Sequence, residues 1–83
     1  MEFSNMSGTS FYDCDIWFWN SEDPSDGAIG YENAGNVMMG ETGEVTKLGE
    51  YCNVNAKDAS GRMVMSKIMK AYDGMKIYKS DLF

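Results

Sequence analysis

The stretch Ala56-Lys57-Asp58-Ala59-Ser60-Gly61-Arg62-Met63-Val64-Met65-Ser66-Lys67-Ile68-Met69-Lys70-Ala71-Tyr72 decides which fold the sequence predicts. Met65, Ile68, Met69 and Tyr72 recur at helical spacing, and Gly61 continues the same face one turn earlier. Asn55 is placed to cap a helix. Asp58, three residues later, suits a shortened capping box and the positive end of the helix dipole. Asp73-Gly74 supplies the stop, because glycine accepts the left-handed conformation that closes helices. The spacing predicts one helix over 56–72, with Arg62, Lys67 and Lys70 on its solvated side.

Everything around this segment reads as strand and turn. Phe11-Tyr12-Asp13-Cys14-Asp15-Ile16-Trp17-Phe18-Trp19 is rich in aromatics and alternates about aspartates. A period of two separates Tyr12, Cys14, Ile16 and Phe18 from Phe11, Asp13, Asp15, Trp17 and Trp19. The first set is an apolar stripe that should face the helix. Residues 20–27 hold nearly every turn-forming type, with Asp26-Gly27 marking a reversal into a short strand over Ala28–Tyr31. Val37–Met39 and Glu44–Leu48 flank a hairpin loop at Gly40–Gly43, and Gly49-Glu50 reads as a two-residue turn pairing Val45 with Val54. That register puts Cys52 and Val54 on one face and Asn53 and Asn55 on the other. Met75–Lys79 predicts a last strand with Met75 and Ile77 inward, while residues 1–10, polar and small, read as a loosely docked arm. The expected fold class is α+β: a small antiparallel meander of about four to six short strands packed against one helix in the C-terminal half. At 83 residues the chain is expected to be one domain, residues 1–83.

Composition narrows the chemistry. The hydrophobic fraction of 43% lies in the globular range. Histidine is absent, which removes the usual general base and the commonest metal ligand. Cys14 sits between two aspartates that disfavour its thiolate, and Cys52 has no histidine to activate it. Two reduced, partly buried thiols in a cytoplasmic protein is the expected state. An EF-hand alignment of the acidic loop Glu22–Asp26 fails, because it places Pro24 and Asn33 where ligands belong. No segment approaches the roughly 18 apolar residues of a membrane span. The expectation is a protein without enzymatic activity, cofactor or metal.

Charge is uneven along the chain. Residues 1–50 carry ten acids against Lys47 alone, a net −9, whereas residues 51–83 carry six bases against three acids, a net +3. Direct phosphate binding by the first fifty residues is therefore disfavoured, and approach to a basic protein is favoured. The candidate partner-binding residues are Asp13, Asp15, Trp17, Trp19, Glu22, Asp23 and Asp26. Carboxylates are seldom buried without partners, so the tryptophan face of the 11–19 strand should meet solvent. An exposed tryptophan pair marks an interface. The alternative is that Phe3, Met6 or Met38–Met39 cover the indoles as a second small core.

The profile suits a small acidic module that blocks a basic, nucleic-acid-handling host protein by occlusion or nucleic-acid mimicry. Phage-encoded inhibitors of host defence, anti-CRISPR proteins included, are the class-level analogy. The other expectation is a self-associating assembly subunit, since an unpaired edge strand or the aromatic face against its own copy would give a homodimer.

Overall fold

The 11–19 stretch does form the strand on which the fold is built. The computed structural model describes residues 1–83 and contains eight strands. These are β1 (Glu2–Met6), β2 (Tyr12–Trp19), β3 (Ala28–Asn33), β4 (Thr42–Glu44), β5 (Tyr51–Lys57), β6 (Met63–Met65), β7 (Met69–Lys70) and β8 (Met75–Tyr78). One sheet runs β3-β2-β5-β6, with β7 also on β5; the other runs β4-β1-β8. All neighbours are antiparallel except β1 and β8, which pair in parallel. The inner faces share one core, in which Cys14, Ile16, Phe18, Cys52 and Val54 meet Phe3, Met75 and Ile77. The helical content is two three-residue 3-10 turns, Pro24–Asp26 and Lys79–Asp81, and no helix is long and apolar enough to cross a membrane.

The predicted α+β class is therefore wrong: a second sheet, not a helix, covers the apolar stripe of β2. The span 56–72 is the tail of β5, a turn, β6 and β7. Local turn chemistry defeats the helical spacing. The Asp58 carboxylate accepts from the Ser60 amide at 2.9 Å, the Ser60 hydroxyl at 2.7 Å and the Arg62 amide at 3.0 Å. Gly61 adopts φ 85°, and the Asp58 amide donates to the Arg62 carbonyl at 2.9 Å, closing a short hairpin loop. Asp58 caps a hairpin, then, where a helix cap was expected. The supposed inner face is not core either, since Tyr72 is 56% and Met65 39% exposed.

Ser66 makes the junction between β6 and β7 possible. Its backbone amide donates to the Val54 carbonyl at 3.0 Å, and its buried hydroxyl accepts from the Val54 amide at 2.7 Å. A side chain thus satisfies a ladder donor that no backbone carbonyl reaches.

Three further expectations fail. Residues 1–10 are no arm: β1 is the middle strand of its sheet, with Phe3 and Asn5 buried. The Asn5 side chain donates to the carbonyls of Thr9 (2.8 Å) and Val37 (2.9 Å) and accepts from the Ser7 hydroxyl (2.7 Å). A polar sequence was thus misread as loose when its polar groups are paired inside. The 44–55 hairpin is absent, because β4 pairs with β1 and β5 pairs with β2. Gly43 allows that choice: a Cβ there would lie 2.6 Å from the Phe3 ring. Finally, Phe11 is fully buried, against strict alternation. Asp13 at φ 49° inserts an extra residue opposite β5, so Phe11 and Cys14 both point inward.

The predicted strands over 11–19, 28–31 and 75–79 do form, with Cys14, Ile16, Phe18, Met75 and Ile77 buried. Two outcomes follow from the Asp58 turn and Ser66. Ser66→Ala should lower unfolding free energy by about 1–3 kcal/mol, the penalty for orphaning a buried amide, as measured by urea denaturation. The Asp58 carboxyl is held below its ordinary value of 3.8 by the Ser60 hydroxyl and the Arg62 amide. Its stabilising contribution is complete above that ordinary value and is lost as pH falls through the depressed one. An NMR titration should show the Ser60 and Arg62 amides shifting in that acid window, and Asp58→Asn should abolish the transition.

Candidate functional site

Cross-strand register assembles the outer face of the larger sheet. Trp17 lies opposite Tyr31 on one side and Asn53 on the other, and Trp19 lies opposite Ala28 and Tyr51. The Trp17 and Tyr31 rings stack at a centroid distance of 4.7 Å and an interplanar angle of 30°. The Trp19 indole N–H donates to Asn53 Oδ1 at 2.7 Å. Both tryptophans are half-buried, and neither is covered by a second core: Phe3 belongs to the central core, while Met6 and Met39 are exposed. The Trp17 indole nitrogen is buried without a hydrogen-bond partner, a state that costs about 1–3 kcal/mol.

Next to Trp19 the surface sinks into a groove of about 500 Å3. Trp19, Asn53, Glu22, Pro24, Met65, Ser66, Ile68 and Phe83 line it. Phe83 is held there by its amide, which donates to the Met65 carbonyl at 3.0 Å, yet its side chain is 92% exposed. A shallower hollow of about 240 Å3 adjoins it, lined by Trp17, Trp19, Asn55 and Met65. Lys67 also borders the groove, but its ammonium lies 3.6 Å from the Asp81 carboxylate.

The seven sequence-derived residues are only partly brought together. Trp17, Trp19 and Glu22 share the groove region. Asp13 and Asp15 sit toward the other end of β2, where the Asn33 amide donates to both, at 2.9 and 2.8 Å. Asp23 accepts from the Ser25 amide at 2.9 Å as the cap of the 3-10 turn, which holds its carboxyl below the ordinary value. Asp26 accepts from the Ser21 hydroxyl. Asp13 and Asp15 are bonded across to β3, Asp23 and Asp26 within their own loop, and none of the four lines the groove. Sequence reasoning missed Tyr31, Met65, Ile68 and Phe83, whose positions depend on pairing between distant strands. Asn53 was assigned to the correct face, and only its bond to Trp19 was not foreseeable.

With the geometry in place, comparison with known proteins adds no relative. No family model, curated protein or solved structure matches this chain. Function must be argued from the face itself.

The thiols lie on the opposite side of the sheet. Burial, then Asp15 and Asp13, push the Cys14 thiol up to about 12; burial alone does the same for Cys52, only partly offset by Lys47. At neutral pH both stay protonated and neither is a nucleophile. Cys52 Sγ packs 3.6 Å from Met75 Sδ, and Cys14 is fully buried. Alkylation by iodoacetamide at neutral pH should therefore proceed only through unfolding, with a rate that rises with urea in step with the unfolded fraction. Rapid labelling of either cysteine in the native protein would contradict this placement.

Proposed function

We propose that this chain is a non-enzymatic binding module that docks on, and occludes, a basic surface of a nucleic-acid-handling partner protein. The observation that carries the reading is the groove at Trp19, whose lining joins Trp19, Phe83 and Met65 to Glu22 of the acidic 20–27 loop. Aromatic anchors in a concave site beside a polar rim are the usual anatomy of a protein interface. The charge imbalance supports a basic partner, because the first fifty residues carry a net −9.

Between occlusion and nucleic-acid mimicry, the side-chain bonding favours occlusion. A mimic needs carboxylates free to take phosphate positions. Here Asp13 and Asp15 are tied to Asn33, Asp23 to the Ser25 amide and Asp26 to Ser21. The remaining source of affinity is the apolar anchor, with acids contributing steering and register.

Affinity capture from bacterial lysate at low and high salt tests this, run with the wild type, Trp19→Ala, Met65→Ser and the triple variant Glu22→Gln/Asp23→Asn/Asp26→Asn. The expected result is one stoichiometric basic protein, lost with Trp19→Ala or Met65→Ser and retained, though weakened, in high salt or with the triple variant. Met65 is exposed, so its variant leaves the fold intact. Loss of capture in high salt with indifference to Met65→Ser would restore mimicry. Recovery of this chain alone, with light scattering showing an oligomer, would replace the reading with self-association.

A further inference from the structure

Resting on that reading, we propose that the Trp19 groove takes an arginine side chain from the partner. Three features of the groove select this occupant.

The first is net charge. Glu22 is the only acid lining the groove, and the one lining cation, Lys67, is neutralised by Asp81 at 3.6 Å. Asp81 is itself fixed, because it accepts from the Tyr78 amide at 2.8 Å. The groove and its immediate rim are left with one uncompensated negative charge, on an exposed residue with no ion-pair partner. A neutral aliphatic side chain would leave that carboxylate unused, and an acidic one would be repelled.

The second is shape and surface. Trp19 and Phe83 offer aromatic rings, and Pro24, Met65 and Ile68 offer apolar walls, around a space of about 500 Å3. A guanidinium lies flat on an aromatic ring, while its three-carbon stem packs on apolar surface. Its planar fork can then present N–H groups to the Glu22 carboxylate, which an ammonium cannot do in the same plane. Phe83, at 92% exposure, is an unpartnered aromatic ring that such a stack would cover.

The third is what the groove lacks. Asn53 Oδ1 already accepts from the Trp19 indole N–H, which takes one of its two acceptor positions. Among the lining residues Glu22 alone offers a carboxylate. The indole of Trp19 is meanwhile locked in place by the same bond, so the ring is presented without an ordering cost.

The test uses the full chain and three blocked tripeptides, Gly-Arg-Gly, Gly-Lys-Gly and Gly-citrulline-Gly, followed by NMR at the Trp19 indole N–H. Arginine should shift that resonance saturably, and citrulline, which keeps the shape without the charge, should bind several-fold more weakly. Glu22→Gln should weaken the arginine peptide about two- to fivefold, the range of an exposed ion pair. Phe83→Ala should weaken it by a similar factor, about two- to fivefold, from the lost cation–π contact. Both substituted residues are exposed, so the fold is not at stake. Equal binding of citrulline overturns charge recognition, and equal binding of lysine overturns recognition of the guanidinium. No shift with any peptide overturns the proposal outright. In each case a captured protein that still depends on Met65 would leave the docking face standing.

Discussion

The inner faces of β2 and β5 cannot be left in water, and the rest of the chain is arranged around covering them. Cys14, Ile16, Phe18, Cys52, Val54 and Ala56 form one continuous apolar surface. Each large side chain in it contributes about 1.5–3 kcal/mol when removed from water. The cover comes from β1 and β8, which bring Phe3, Met75 and Ile77 against it. These two strands come from opposite ends of the sequence and pair in parallel, so the core closes only when distant segments meet. Asn5 secures that closure by binding two carbonyls and one hydroxyl inside the fold.

Covering one face of the larger sheet leaves the other free to act. The bulge at Asp13 sends Phe11 into the core, and beyond it regular alternation carries Trp17 and Trp19 to the outer face. Strand pairing then sets Asn53 beneath Trp19 and Tyr31 against Trp17. The interruption between β6 and β7, bridged by the Ser66 hydroxyl, turns the sheet edge into the wall of a groove. The same hydrogen-bond economy that completes the fold therefore shapes the groove at Trp19.

The polar residues divide by role. Asp58 and Asp23 each hold a turn through bonds to nearby backbone amides, while Asp13 accepts from the Asn33 side chain on the neighbouring β3. Of the five acids that the sequence offers to a partner, Asp13, Asp15, Asp23 and Asp26 already accept internal hydrogen bonds. Glu22 differs because its carboxylate takes no internal bond that orders its loop, and it stands beside Trp19.

The sequence by itself determined the strand at 11–19, the Cys14, Ile16 and Phe18 part of its apolar stripe, the return strand at 28–31 and the inward Met75 and Ile77. Period-two alternation and turn residues are local signals, and here they agree with burial. It also determined that both tryptophans lie on one face, away from the cysteines. Only the tertiary structure decided that 56–72 is strand and turn. Met65, Ile68, Met69 and Tyr72 fit a helix, but β5 had an unpaired edge, and pairing with it outweighed local propensity. The place of residues 1–10 was likewise invisible, because β1 pairs with β4 and β8 far along the chain, and Asn5 and Ser7 look solvent-loving until that pairing buries them beside Thr9 and Val37. The groove at Trp19 belongs to the same class: its lining comes from Trp19, Glu22, Pro24, Asn53, residues 65–68 and Phe83, and no local pattern reports a meeting of segments so far apart.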